Sequence, residues 1–222
     1  MELTPNLHAF LWTSPQVNNC NSYLIRSADK RILIDPGHAA YFAHVRQGLS
    51  ELGLSVDDID LVLCTHAHPD HIEAVRLFRN APALFALHGV EWRMVEEMGP
   101  YLKAALDVDL EGLAPDFFLT EGALQVGDID LEVYHTPGHA PGAVTLYWPA
   151  EKALITGDLI FNGGLGRTDL PGGDGAQLKQ SIRRMASLDA AWLLAGHGDV
   201  LEGVEAVKVN SARVAEEWFR YI

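Results

Sequence analysis

The sequence predicts an α+β fold, an αββα sandwich in which two sheet-forming halves bury their apolar faces against each other and carry helices outside. Three observations predict it. Each half contains short apolar runs that end in turn residues and pair off as hairpins, as in "NSYLIRSADKRILIDPG" and "AVTLYWPAEKALITGD". Each half also contains segments with helical spacing. The linkers between these segments are short, so residues 1–222 are read as one domain. A composition of 48% hydrophobic and 21% charged residues supplies a sizeable core and carries no signature of disorder.

In the first hairpin, two apolar runs flank the polar "SADK", and "DPG" ends the second strand. "YFAHVRQGLSELG" has helical spacing and stops at Gly53. "IDLVLCTH" reads as a short buried strand, and "DHIEAVRLFRNA" as a helix covering one face of a sheet. "PALFALH" is a further strand, followed by helical material from about Val90 to Leu106, in which Pro100 is expected to separate two helices. The second half opens with "ALQVGDIDLEVYHTPGH", a hairpin whose runs meet at "GD", and continues with the hairpin turning at "PAEK". A helix over "GAQLKQSIRRMASL", a strand in "AWLLAGHG" and a last helix from roughly Val204 to Phe219 complete the chain. No strict internal repeat is evident.

Charge narrows the function. The formal net charge is −14 and the isoelectric point near 5.0, with no basic stripe or cluster, which argues against a nucleic-acid partner. No apolar stretch approaches the roughly 20 residues that span a bilayer, and the first 24 residues lack a basic segment followed by an apolar core. The expectation is a cytoplasmic protein acting on a small molecule, without membrane or nucleic-acid partners; oligomeric state is not legible. Cys20 and Cys64 make no disulfide framework and read as small buried hydrophobes.

The chemistry concentrates in "CTHAHPDHIEAVRLF", residues 64–78, where His66, His68, Asp70 and His71 fall within six positions directly after the apolar "LVLC". In extended chain, residues two apart point to one side, so His66 and His68 can approach one cation. Asp70 and His71 lie at the start of the next helix and can face a neighbouring position. Three later residues fit the same demand: His139 in "TPGHAPG", Asp158 in "LITGDLIF" and His197 in "LLAGHGD". Each stands where an apolar strand reaches a sharp turn, which holds a ligand on a rigid scaffold. Imidazoles suit zinc and iron, and an aspartate between two cations balances their charge. Any one of these histidines alone would read as a strand-end hydrogen-bonding group; the ordered set of seven does not. His135 falls outside the "GH" turn and reads as a structural side chain that is not a ligand, with support of the ligand turn as the alternative, and His88 reads as a strand-end side chain. His8, His38 and His44 have no constellation around them, while Asp35 and Gly37 organise the edge of the site.

"THAHPDH", "TPGHAPG", "TGD" and "GHG" together resemble the metallo-β-lactamase superfamily over nearly the whole chain. The resemblance implies a sandwich of the same architecture with a metal site at one edge of the paired sheets. It assigns His66, His68 and His139 to one metal and Asp70, His71 and His197 to a second, with Asp158 bridging. Two divalent ions are therefore expected, zinc by default, with iron or an iron–zinc pair also compatible. Such a pair shares a water or hydroxide, lowers its pKa and aims it at an electrophilic carbonyl, which gives Asp70 a catalytic as well as a ligand role.

"TGDLIFNGGLGRTDLPGGD" is similar to the glyoxalase II-like, hydroxyacylglutathione-hydrolase-like branch. That implies a thioesterase that cleaves an S-acylglutathione such as S-lactoylglutathione by metal-bound hydroxide attack. Arg167 would either anchor its loop or meet a substrate carboxylate. Two features depart from the branch: Glu73 stands where a glycine often follows the ligand signature, and no C-terminal helical region with basic glutathione contacts follows Ile222. A different small thioester stays open. So does persulfide dioxygenation at one iron held by His66, His139 and Asp158, and so does lactone hydrolysis on the same metal pair.

Overall fold

Alternation along the strands sets the layering. In the computed structural model, which describes residues 1–106 and 110–222, strands β1 (Glu2–Thr4), β2 (Leu7–Phe10), β3 (Ser22–Arg26), β4 (Arg31–Ile34), β5 (Leu61–Leu63), β6 (Leu84–His88) and β7 (Phe117–Leu119) form one sheet in that order. The first four run antiparallel and the last four parallel. A second sheet contains β8 (Gly122–Val126), β9 (Ile129–His135), β10 (Val144–Trp148) and β11 (Ala153–Gly157). After the small ribbon of β12 (Ile160–Phe161) and β13 (Gly164–Leu165), the chain adds β14 (Trp192–Ala195) and β15 (Leu201–Glu202) to that second sheet, in the order β15-β14-β11-β10-β9-β8.

Along β4, Ile32 and Ile34 point to one side and Leu33 to the other. The first side meets Leu131, Val133, Leu146 and Ile155 of the second sheet in a core between the sheets. The second side, with Leu24, Val62 and Phe85, packs against helix α1 (Ala43–Glu51) and the segment after β5. The far face of the second sheet, with Leu154 and Leu193, packs on Leu178, Ile182 and Met185 of α4 (Gly175–Met185) and on Val207 and Val214 of α5 (Val204–Trp218). The helices between parallel strands are the crossovers that parallel pairing demands. The result is the expected αββα sandwich.

All the hairpins form as read, with Tyr147 opposite Leu154 around "PAEK" and Val126 opposite Ile129 around "GD". Gly53 ends the first helical stretch in the left-handed region (φ 71°). Two helical expectations are corrected. "DHIEAVRLFRNA" is one α-helical turn, α2 (Pro69–Ile72), followed by a 3-10 segment over Glu73–Phe78. There the Ala74 N–H leaves the helical ladder to bond Gly37 O (2.7 Å), and the Glu73 carboxylate turns back to the Ala39 N–H (3.1 Å) and His38. A single helix α3 (Gly89–Leu106) also runs through Pro100. Proline costs one helical hydrogen bond, but its fixed φ is itself helical. The short strands β1, β2, β7, β12, β13 and β15 are additional to the sequence reading.

Candidate metal centre

Four strands end at one edge of the sandwich and deliver the polar residues there. β5 runs out into Thr65 and His66, β9 into the turn with His139, β11 into Asp158 and β14 into His197. β11 and β14 are parallel neighbours, so their ends set Asp158 beside His197. α2 begins at Pro69, a favoured first helical position, and carries Asp70 and His71 inward; both are buried.

All seven donors named from the sequence come together. His66, His68 and His139 form one group, Asp70, His71 and His197 another, and His66, His71 and Asp158 a third between them; within each, the ligand atoms lie within 4.8 Å of one another. Asp158 reaches both sides: Oδ1 is 3.3 Å from His71 Nε2, and Oδ2 is 3.5 Å from His139 Nε2 and 3.3 Å from His197 Nε2.

The hydrogen bonds behind the donors orient them. Thr65 donates its hydroxyl hydrogen to Asp35 Oδ2 (2.7 Å), so its oxygen accepts from His66 Nδ1 (3.1 Å). His139 Nδ1 donates to the Arg167 carbonyl (2.7 Å), and His71 Nδ1 to Asp35 Oδ2 (2.9 Å). His66 and His139 therefore turn an Nε2 lone pair inward, and His71 directs its Nε2 to the same place, the arrangement by which outer partners orient metal-binding imidazoles. His66 Nε2 and His139 Nε2 then lie 3.1 and 2.9 Å from His68 Nδ1, more lone pairs than protons can reconcile. His71 Nε2 and Asp158 Oδ1 are buried and make no well-formed hydrogen bond among the described residues, facing only each other at 3.3 Å. Buried polar atoms left without hydrogen bonds are costly, and a divalent cation would satisfy both. The donor set fits such an ion.

Electrostatics separates the two sides. Burial and the neighbouring imidazoles hold His66 well below its ordinary value, burial and His139 take His68 to about 4, and burial lowers His139. These three are neutral bases near pH 7. Burial also opposes the charge of His71 and His197, but Asp158 and Asp35 raise His71 well above the usual range, and Asp158 and Asp70 raise His197 to about 9. Against the same burial, His71 and His197 hold Asp158 well below the carboxylate range, and hydrogen bonding from His197 together with the His71 charge does the same for Asp70.

The linkage has a definite sign. The folded pKa of His197 exceeds the ordinary histidine value of 6.5, so its stabilising contribution to the metal-free protein is complete below about 6.5 and lost as pH rises through about 9. A cation must displace the same proton. The metal-free melting temperature is expected to fall between these pH values while zinc affinity of the Asp70/His71/His197 side rises. Affinity of the His66/His68/His139 side should be flat over that interval. Calorimetry and chelator-competition titrations across pH check both; a pH-independent affinity on the Asp70 side would contradict the charge assignment.

His68, Asp70, His139, Asp158 and His197 line a cleft of about 500 Å³ together with Phe161, Leu165, Leu170, Asn18 and Arg167. The exposed Arg167 guanidinium meets Asp169 through two bonds of 2.7 Å, while its carbonyl orients His139. His135 stays outside the donor groups and bonds the Pro141 carbonyl (2.9 Å), stacked on His88. Both thiols are buried, and burial drives their pKa values well up, which makes them inert. Two contributors escaped the sequence reading. Asn18 donates to Asp70 Oδ2 (2.7 Å), and Glu91, fully buried, bonds the ligand loops. A lone asparagine in a loop and a glutamate at a helix start carry no local signal of such partners.

Residues 15–197 match the family model of the metallo-beta-lactamase superfamily. The hydroxyacylglutathione hydrolase GloC of Haemophilus influenzae is 34% identical over 178 residues, covering 75% of this chain and 79% of that protein. The probable metallo-hydrolase YqgX of Bacillus subtilis is 33% identical over 184 residues, covering 80% of this chain and 84% of its own. The crystal structure of TTHA1623 in a di-iron-bound form matches with a TM-score of 0.71 and 30% identity, covering 86% of this chain and 93% of that one.

Proposed function

This chain belongs to the metallo-beta-lactamase superfamily as a metal-dependent hydrolase, and we propose that it cleaves a small acyl-thioester, an S-acylglutathione such as S-lactoylglutathione first among them. The observation that carries the reading is Asp158, which lies within 3.3–3.5 Å of His139 on one side and of His71 and His197 on the other, at the floor of an open cleft. The similarity to a hydroxyacylglutathione hydrolase supports the substrate class. His66, His68 and His139 would hold one divalent ion, Asp70, His71 and His197 the other, and Asp158 both. Zinc is the default occupant, and the di-iron relative supports iron as well. Bound there, the ions would lower the pKa of a water and polarise the thioester carbonyl.

The chain's own residues supply the rest. Asp70 stays ionised, so it accepts hydrogen bonds and donates no proton. Asn18 fixes the Asp70 carboxylate by its bond to Oδ2. Phe161, Leu165 and Leu170 give the acyl portion an apolar wall and thin the water around it. Water oxygen bonds to the acyl carbon, the carbon–sulfur bond breaks, and acid and thiol are the products.

A paired assay tests the reading. Zinc- and iron-loaded protein is offered S-lactoylglutathione with thiol release followed, and glutathione persulfide under air with oxygen uptake followed. Thiol release without oxygen uptake is expected. Iron-dependent oxygen uptake without thioester cleavage would overturn the proposal in favour of a dioxygenase. In the same assay, Asp70→Ala and His197→Ala should each lower turnover by about 10²-fold or more and lose one of two bound ions, as read by metal analysis of folded protein.

A further inference from the structure

Outside the seven donors, one buried ionisable group touches both loops that carry the first donor group. Glu91, at the start of α3, is 0% exposed. Its Oε2 accepts from the Ala67 N–H (2.9 Å), and its Oε1 from the Gly142 N–H (2.6 Å). Ala67 stands between His66 and His68, and Gly142 lies three residues after His139. The Pro141–Gly142 peptide is held on both edges, because its carbonyl accepts from His135 Nε2 (2.9 Å) while its N–H bonds Glu91. The approach is close enough to demand glycine: a Cβ on Gly142 would lie 2.6 Å from Glu91 N and 2.8 Å from His88 Nδ1.

We infer that Glu91 is a positioning residue that holds the His66/His68 loop and the His139 loop in register, so that the first donor group is formed before any ion arrives. Connecting loops are ordinarily the mobile parts of a fold, and these two are far apart in sequence. A buried backbone N–H requires a partner, and a buried carboxylate requires donors; here one carboxylate meets both needs across the two loops. Burial pushes the Glu91 pKa up, and the two N–H groups pull against it. Without the clamp, an ion would have to order both loops on binding, a cost subtracted from its affinity. Outer partners of metal ligands are typically worth about 10–100-fold in affinity. Glutamine at this position keeps the shape but turns an N–H₂ toward one of the two N–H donors.

The inference rests on His66, His68 and His139 being metal ligands, and the test separates the two. Zinc affinity and cobalt(II) absorption are measured on the full chain in two backgrounds: His197→Ala, which isolates the first group, and His68→Ala, which isolates the second. Glu91→Gln should weaken zinc about 10–100-fold and shift the cobalt spectrum in the first background, and change affinity less than about threefold in the second. His135→Phe, which removes the other bond to the same peptide, should act in the same direction with a smaller effect. Unchanged affinity and spectrum in Glu91→Gln, or equal weakening in both backgrounds as general destabilisation would produce, overturns the clamp. Should Glu91→Gln fail to fold, a folded His135→Phe with wild-type affinity and spectrum overturns it. A chain with the native Glu91 that binds no zinc in the first background sinks the metal reading and the clamp together.

Discussion

Asp158→Ala is expected to strip both donor groups of metal and to lower kcat/KM by about 10³-fold or more, because a bound ion contributes several kcal/mol to transition-state stabilisation. The effect exceeds that of losing any one histidine, since this carboxylate faces both sides, at 3.3 Å from His71, 3.3 Å from His197 and 3.5 Å from His139. The metal-free protein should suffer as well. His71 and His197 owe their raised pKa values to Asp158 among others, and removing one partner of a buried ion pair costs about 3–5 kcal/mol. The variant should partly recover as pH rises and the two imidazoles lose their protons, opposite to the trend expected of the native chain. Metal analysis and melting temperatures of metal-free samples at pH 6 and 9 read both consequences. A folded variant that retains two ions would refute the shared role.

Gly196→Ala should be nearly as severe, although it removes no donor. A Cβ at this position would lie 2.2 Å from Asp158 Oδ1 and 2.7 Å from His71 Cε1. Neither neighbour can yield: Asp158 is held among His71, His139 and His197, and His71 is fixed at its other nitrogen by Asp35. Gly196 is itself pinned, its N–H bonding Gly157 O at 2.8 Å. Overpacking of this kind costs about 1–3 kcal/mol, and the displaced carboxylate should no longer serve both groups. The expected result is a lowered melting temperature without metal and less than half of the native zinc content. Native zinc content in a folded Gly196→Ala protein would show that the strand end gives way and that the close approach is not required.

The sequence by itself singled out the metal-capable residues that the fold brings together. His66, His68, Asp70, His71, His139, Asp158 and His197 were legible because they stand where strands give way to turns or to the start of a helix, places where a hydrogen-bonding residue is common but a metal-capable one in ordered series is not. The hairpins around "SADK", "GD" and "PAEK" were legible because period-two alternation and turn residues are local properties. The helix expected over "DHIEAVRLFRNA" gave way to a single turn and a 3-10 segment because its backbone bonds a loop from another part of the chain, at Gly37. Tertiary structure alone decided which nitrogen of each imidazole faces inward, that Arg167 is spent on Asp169 and its carbonyl on His139, and that Asn18 and Glu91 belong to the site at all. The physical reason is the same throughout. A side chain's capacity to bind a cation is written in its own atoms, whereas its orientation, protonation and partners depend on distances that only the packing of two sheets sets.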